Sequence, residues 1–236
     1  MNYLSDAFTW ITDPAHWSGA SGIWVRLAQH LATTGIAIGV ALVIALPVGI
    51  LIGHARRGSA VVGAIAGAAR AIPTLGLLTL FGLWLGIGLQ APLFALVVLA
   101  IPSILAGAYA GIQAVDPQIC DAARAVGMNE ARIVWQVEIP LGAPVIIGGI
   151  RAGVLQVVAT ATLAAYVADN GLGRYLFIGL KTRDYAQMLG GAVLVIALAL
   201  VLEIVFASLQ RVVATRVTNP HTSQHTSAQR ESAGSR

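Results

Sequence analysis

Side chains able to carry ionic or proton chemistry are scarce in this chain, and they gather in one place. From Asp121 to Pro140 the sequence reads DAARAVGMNEARIVWQVEIP, which sets Asp121, Arg124, Glu130 and Arg132 close together between stretches that are almost continuously apolar. Acids and arginines at this spacing suit ion pairing with another surface. No catalytic residue is expected among them, and the sequence has no GxxxxGK[ST] phosphate loop, so no nucleotide cofactor is expected in this chain. Cys120 is the only cysteine, which excludes a disulfide framework and a cysteine-based metal site, and no metal is expected. Elsewhere, polar residues interrupt the apolar runs. Arg70, Arg151 and Glu203 are costly there and point to pairing or snorkelling. Gln156, Thr160, Thr162 and Tyr166 follow one another along a single run, with Gln156 and Thr160 on one helical face and Tyr166 offset. Such residues either line a passage or hold helices together.

The elements that position these residues follow from composition. Of 236 residues, 57% are hydrophobic and 10% charged, against about 25% charged in soluble domains. With a mean hydropathy of +0.81, this is a membrane protein of one domain. The net charge of +4 comes from scattered arginines, a pattern of membrane topology rather than of nucleic-acid binding. Runs of about 20 apolar residues predict crossings over Leu31–Ile52, Ser59–Leu89, Leu93–Ile112, Leu141–Ala168 and Leu189–Val213. The second is overlong and carries Pro73 and several glycines, which predicts a broken crossing made of two helical pieces. A six-span alternative splits it into a hairpin. Residues 1–30, with Trp10, Trp17 and Trp24, predict an outer interfacial segment; Asp6 and Asp13 without a basic start argue against a cleavable signal peptide. Residues 31–213 form the membrane domain, and the polar residues 214–236 predict a disordered inner tail. With the five-span topology, Arg56, Arg57, Arg124, Arg132, Arg211, Arg216, Arg230 and Arg236 lie inside, and Arg26, Arg174, Lys181 and Arg183 outside. That bias places the N-terminus outside and the C-terminus in the cytoplasm.

Two short helices are predicted between the third and fourth crossings. Asp116 caps the first, with Pro117 at its opening position. Ile119, Ala122, Ala123 and Val126 fall on one face, and Gly127 ends it. Asn129 caps the second, which carries Ile133, Val134 and Val137 and ends at Pro140.

Asp121-Ala122-Ala123, three residues, Gly127, nine residues and Val137-Glu138-Ile139-Pro140 resemble the Glu-Ala-Ala loop of ATP-binding-cassette importer permeases. The likeness extends through LPVGILIGHARR (Leu46–Arg57), AIPTLGLLTLFG (Ala71–Gly82), IPLGAPVIIGGIRAG (Ile139–Gly153) and ATLAAYVADNGLGRYLFIGL (Ala161–Leu180), which look like the osmoprotectant branch. One departure is Ala168-Asp169-Asn170-Gly171-Leu172-Gly173, where many relatives carry Gly-Ala-Gly-Gly-Leu-Gly. The resemblance implies an all-α transmembrane bundle of the type I, methionine-permease-like kind, with about five core spans. It further implies a plasma-membrane permease for glycine betaine, carnitine, choline or proline betaine, working with cytoplasmic ATPases, a second permease copy or paralogue, and an extracytoplasmic solute-binding protein. Asp121, Ala122, Ala123, Arg124, Gly127, Glu130 and Pro140 would then form the loop 116–140 that docks on the ATPase, with Asp121, Arg124, Glu130 and Arg132 offering ion pairs to it. The fourth span, with Gln156, Thr160 and Tyr166, would line the passage. Methionine or phosphonate permeases remain open within this class. A stand-alone carrier would call for inverted repeats and midplane carboxylates, and Glu203 is the only acid within a predicted span.

Overall fold

The computed structural model describes residues 3–218, apart from the side chains of Ser59, Ala69, Arg70 and Thr218. The expectations for the Arg70 side chain and for the tail beyond residue 218 lie outside these described residues.

Helix α1 (Tyr3–Thr12) and a 3-10 turn (Pro14–His16) precede the first long helix, α2 (Ile23–His54). That helix begins eight residues before the predicted span. At 1.5 Å per residue its 32 residues extend about 48 Å, more than the roughly 30 Å of hydrocarbon. The added turns carry Arg26 and His30, both buried, which look like interface residues until their partners are seen. Arg26 pairs with Asp169 at 2.9 Å, and His30 Nε2 meets the Val158 carbonyl at 3.0 Å.

The second predicted crossing is two helices in series, α3 (Ser59–Ala71) and α4 (Thr74–Leu85). The break falls at Ile72, extended at φ −74° and ψ 118°, because a residue before proline is disfavoured in the helical region. Helices α5 (Gln90–Gln113), α8 (Ile139–Ala161) and α10 (Tyr185–Thr218) match the remaining predicted spans. Among the described residues, four helical stretches are long and apolar enough to cross a membrane, and α4 is a shorter apolar helix. α10 runs through Thr218, so the helix continues past residue 213, where the tail was expected to begin.

The core lies where α2, α5 and α8 meet. Ala37, Ala41 and Ala45 face Leu96, Ala100 and Ile104, and these face Val154, Val157 and Val158. Lipid supplies no hydrophobic drive between helices, so close backbone approach must do the work. It does so at two glycine pairs: a Cβ on Gly107 would sit 2.4 Å from Gly149 Cα, and one on Gly142 would sit 2.4 Å from the Gly111 carbonyl oxygen.

At the end of the bundle away from His54, the chain clamps itself together. Asp169 pairs with both Arg26 and Arg174, Asn170 donates to Thr33 Oγ1, and the Gly171 amide donates to Gln29. The Asp-Asn in place of glycines thus fastens the α8–α9 turn to α2, where α9 is Gly173–Thr182. Trp10 packs edge-on to Tyr175 at 5.0 Å, which ties the N-terminal segment to α9, while Trp24 stays exposed.

Candidate coupling segment and passage face

At the His54 end, the chain between α5 and α8 folds as two short helices. Helix α6 (Pro117–Ala125) starts where the Asp116 carboxylate accepts from the Gln118 amide at 2.9 Å. Helix α7 (Glu130–Ile133) starts where Asn129 accepts from the Arg132 amide at 2.9 Å. Between them Gly127 sits at φ +88°, a left-handed conformation that only glycine adopts without strain.

Two sequence expectations need correcting. The buried face of α6 is Cys120 and Ala123, packed on Val115 and Ile133. Ile119, Ala122 and Val126 point outward instead, with Val126 79% exposed. The predicted stripe combined Ala123 with its outward neighbours, and only the fold decides which side of so short a helix is covered. Nor does Pro140 end the second helix. A π turn over Val134–Glu138, closed by the Ile139 amide on the Val134 carbonyl, precedes it, and the helix continues into α8. A wide turn just before a proline relieves the clash its ring makes one turn earlier. Helix α7, the π turn and α8 are therefore one continuous rod.

Three charges of the segment, Asp121, Arg124 and Glu130, are paired with one another. Arg124 grips Glu130 with two N–H groups at 2.8 and 3.0 Å and Asp121 at 2.7 Å. The Arg124 hydrogen bonds hold the Glu130 carboxyl below the usual carboxylate range, with a smaller contribution from His54. Arg132 is exposed and has no ion pair among the described residues. Beneath this surface lies a carboxylate with no sequence-level role: Glu138 is 1% exposed, 2.7 Å from His54 Nδ1 and 3.6 Å from Cys120 Sγ. Burial first, then this carboxylate, pushes the Cys120 thiol up.

Along α8, Ala152, Gln156 and Ala159 stay exposed on one face, and Tyr166 is exposed just beyond the helix end. Gln156 accepts from Ser103 Oγ at 3.0 Å and borders a 140 Å³ cavity with Ala66, Pro102 and Ala106. Thr160 is half-buried elsewhere, in a niche of about 10 Å³ against Thr74, Leu78 and Leu96. Tyr166 stands 66% exposed in a 3-10 turn (Thr162–Tyr166), its ring 5.7 Å from Phe177. The three residues do not share one cavity. Gln156→Trp is expected to fill its cavity and block solute passage in an assembled complex. Thr160→Trp instead overpacks the α4–α5–α8 contact, at about 1–3 kcal/mol, and lowers the amount of assembled complex. Uptake and assembly measured side by side check both outcomes.

Residues 45–219 match the family of binding-protein-dependent transport system inner membrane components. The chain belongs to this permease family. The permease is 33% identical over 183 residues to the choline transport system permease protein OpuBB of Bacillus subtilis, covering 78% of this chain and 84% of that protein. It is 31% identical over 186 residues to the glycine betaine/carnitine/choline transport system permease protein OpuCB of the same organism, covering 79% and 86%. Among solved structures, it aligns with the inward-facing MetNI methionine ABC transporter at a TM-score of 0.69 and 26% identity, covering 81% of this chain and 96% of that chain. The permease is thus a multi-pass helical membrane protein of the methionine-permease-like fold.

Within the permease, Arg151 and Glu203 pair with each other inside the spans. Arg151 on α8 reaches Glu203 on α10, with Nε at 2.7 Å from Oε2, and donates to Gln210 at 3.1 Å. Gln210 in turn donates to the Pro144 carbonyl at 2.9 Å. Sequence reasoning missed His54 and Glu138. The only available signals were a histidine closing the first span and one acid in the apolar run before Pro140.

Proposed function

We propose that this permease passes a quaternary-ammonium compatible solute, such as glycine betaine, carnitine, choline or proline betaine, across the plasma membrane as one half of an importer. The observation that carries the reading is its similarity, over nearly four fifths of the chain, to permeases named for choline, carnitine and glycine betaine. In this reading the chain itself catalyses nothing. Two ATPase subunits hold ATP and Mg on the cytoplasmic side, and a solute-binding protein delivers the cargo from outside. A second copy or a paralogue completes the passage along Gln156.

Asp121, Ala122, Ala123, Arg124, Gly127, Glu130 and Pro140 belong to the lever that meets the ATPase. The outward Ile119, Ala122 and Val126 offer apolar contact. The internally paired Arg124 keeps α6 and α7 rigid with respect to each other. Because α7, the π turn and α8 are continuous, a push on the lever moves the passage helix directly. The residues of the lever would lie inside the cell, and the Asp169 clamp and the N-terminus outside.

Native co-purification tests the assignment: the reading expects an ATPase and a binding protein that holds a quaternary ammonium compound. A binding protein loaded with methionine, the cargo of the solved relative, would replace the substrate named here. Sidedness is tested by single cysteines. Lys181→Cys is expected to react with a membrane-impermeant thiol reagent in intact cells, and Arg57→Cys only after lysis. The reverse pattern would overturn the orientation.

A further inference from the structure

We infer that His54 is a positioning residue for coupling, an imidazole strap that holds the start of α7 and the end of the π turn to the last turn of α2. The inference rests on the importer reading above and extends it to a residue outside the coupling motif.

His54 closes α2, and its two ring nitrogens face two different carboxylates. Nδ1 is 2.7 Å from Glu138 Oε2, and Nε2 is 3.3 Å from Glu130 Oε2. Nδ1 makes a hydrogen bond with the Glu138 carboxylate, and Nε2 meets Glu130 at ion-pair distance. Glu138 lies at the end of the π turn leading into α8, and Glu130 opens α7. One ring therefore joins the first span to the passage helix on one side and to the exposed lever on the other.

The surrounding charges complete the device. Arg124 of α6 holds Glu130 and Asp121, so the strap reaches α6 through a second ion pair. Cys120 of α6 points its thiol at Glu138. Arg56, two residues past His54, donates to the Val115 carbonyl at 2.8 Å and fastens the same corner without using a carboxylate. Gln113 at the end of α5 donates to the Gly53 carbonyl at 2.8 Å.

The test uses the complex reconstituted with its own ATPase and binding protein, at matched permease levels. His54→Arg, always charged and rich in N–H donors, is expected to keep solute moved per ATP hydrolysed near the wild-type ratio. His54→Ala is expected to lower solute moved per ATP about ten-fold, the scale of a typical coupling free energy, while basal hydrolysis persists. Where stranding Glu138 alone reduces accumulation, His54→Ala with Glu138→Gln removes the unpaired buried carboxylate and is expected to show the same coupling loss. A wild-type ratio in His54→Ala or in the double variant would overturn the inference. A wild-type complex that hydrolyses ATP yet moves no solute would overturn the importer reading first, whatever His54 does.

Discussion

Replacing Ala123 by arginine is expected to abolish ATP-driven uptake while the permease still inserts in the membrane. Ala123 is 8% exposed and sits with Cys120, Val115 and Ile133 in the small apolar core under the coupling segment. Glu138, a buried carboxylate of the same corner, already faces His54 and Cys120. The side chain would have to leave, lifting α6 from its seat and taking the Arg124–Glu130 fork with it. Burying an unpaired charge and overpacking both belong to the mechanisms that give the largest single-residue losses. The neighbouring Ala122→Arg is the contrast. Ala122 is exposed, so α6 stays folded and the change acts only on the surface proposed to meet the ATPase. Ala122→Arg is expected to release the ATPase on purification, and Ala123→Arg to disorder the segment itself. Limited proteolysis between Asp116 and Pro140 separates the two. Normal uptake by Ala123→Arg at matched levels would remove the coupling role from this segment.

Gly149→Leu is expected to prevent accumulation of the permease altogether. Helices α5 and α8 approach so closely here that a Cβ on Gly149 would lie 2.5 Å from Gly107 Cα and 3.1 Å from the Ser103 carbonyl. Those are backbone atoms of the facing helix, so no rotamer change relieves the contact. Even one methyl forces the helices apart, and the separation spreads to Gly111–Gly142 on the same seam. Overpacking a core typically costs about 1–3 kcal/mol, and a backbone-to-backbone clash lies at or above the top of that range. Gly63→Ala on α3 is the matched control. A Cβ there meets nothing within 4 Å, and alanine is favoured over glycine within a helix by about 0.5–1 kcal/mol. That variant is expected to accumulate at least as well as the wild type. Membrane levels of the two variants, measured after equal induction, check the pair.

Most of the fold was legible because its signals are local. Apolar length marks the long helices, Pro73 marks the break between α3 and α4, and Asp116, Asn129 and Gly127 mark the caps and the turn of the coupling segment. What escaped depends on partners far away in the chain. The start of α2 at Ile23 needed the Asp169 carboxylate for Arg26 and the Val158 carbonyl for His30. The orientation of α6 depends on where Ile133 and the π turn lie, and the pattern Ile119, Ala122, Ala123 and Val126 carries no trace of either. Pro140 reads as a stop because proline removes a helical hydrogen bond, whereas a wide turn before it lets the helix continue. His54 and Glu138 lie 84 residues apart, and no short-range spacing announces their contact. On the passage face, Gln156, Thr160 and Tyr166 were grouped by polarity, but the fold separates them into a cavity, a packed contact and an exposed ring.

ATP-driven uptake into proteoliposomes bears most directly on the function of this permease. Vesicles would hold the permease, its ATPase and its binding protein, and radiolabelled glycine betaine, choline and carnitine would be offered with unlabelled methionine as competitor. At least one of the three quaternary ammonium compounds is expected to accumulate against its gradient, only with ATP inside the compartment that exposes the ATPase and only with the binding protein on the opposite side. Methionine is expected to leave that uptake unchanged. Accumulation without ATP, or displacement of all three compounds by methionine, would contradict the reading.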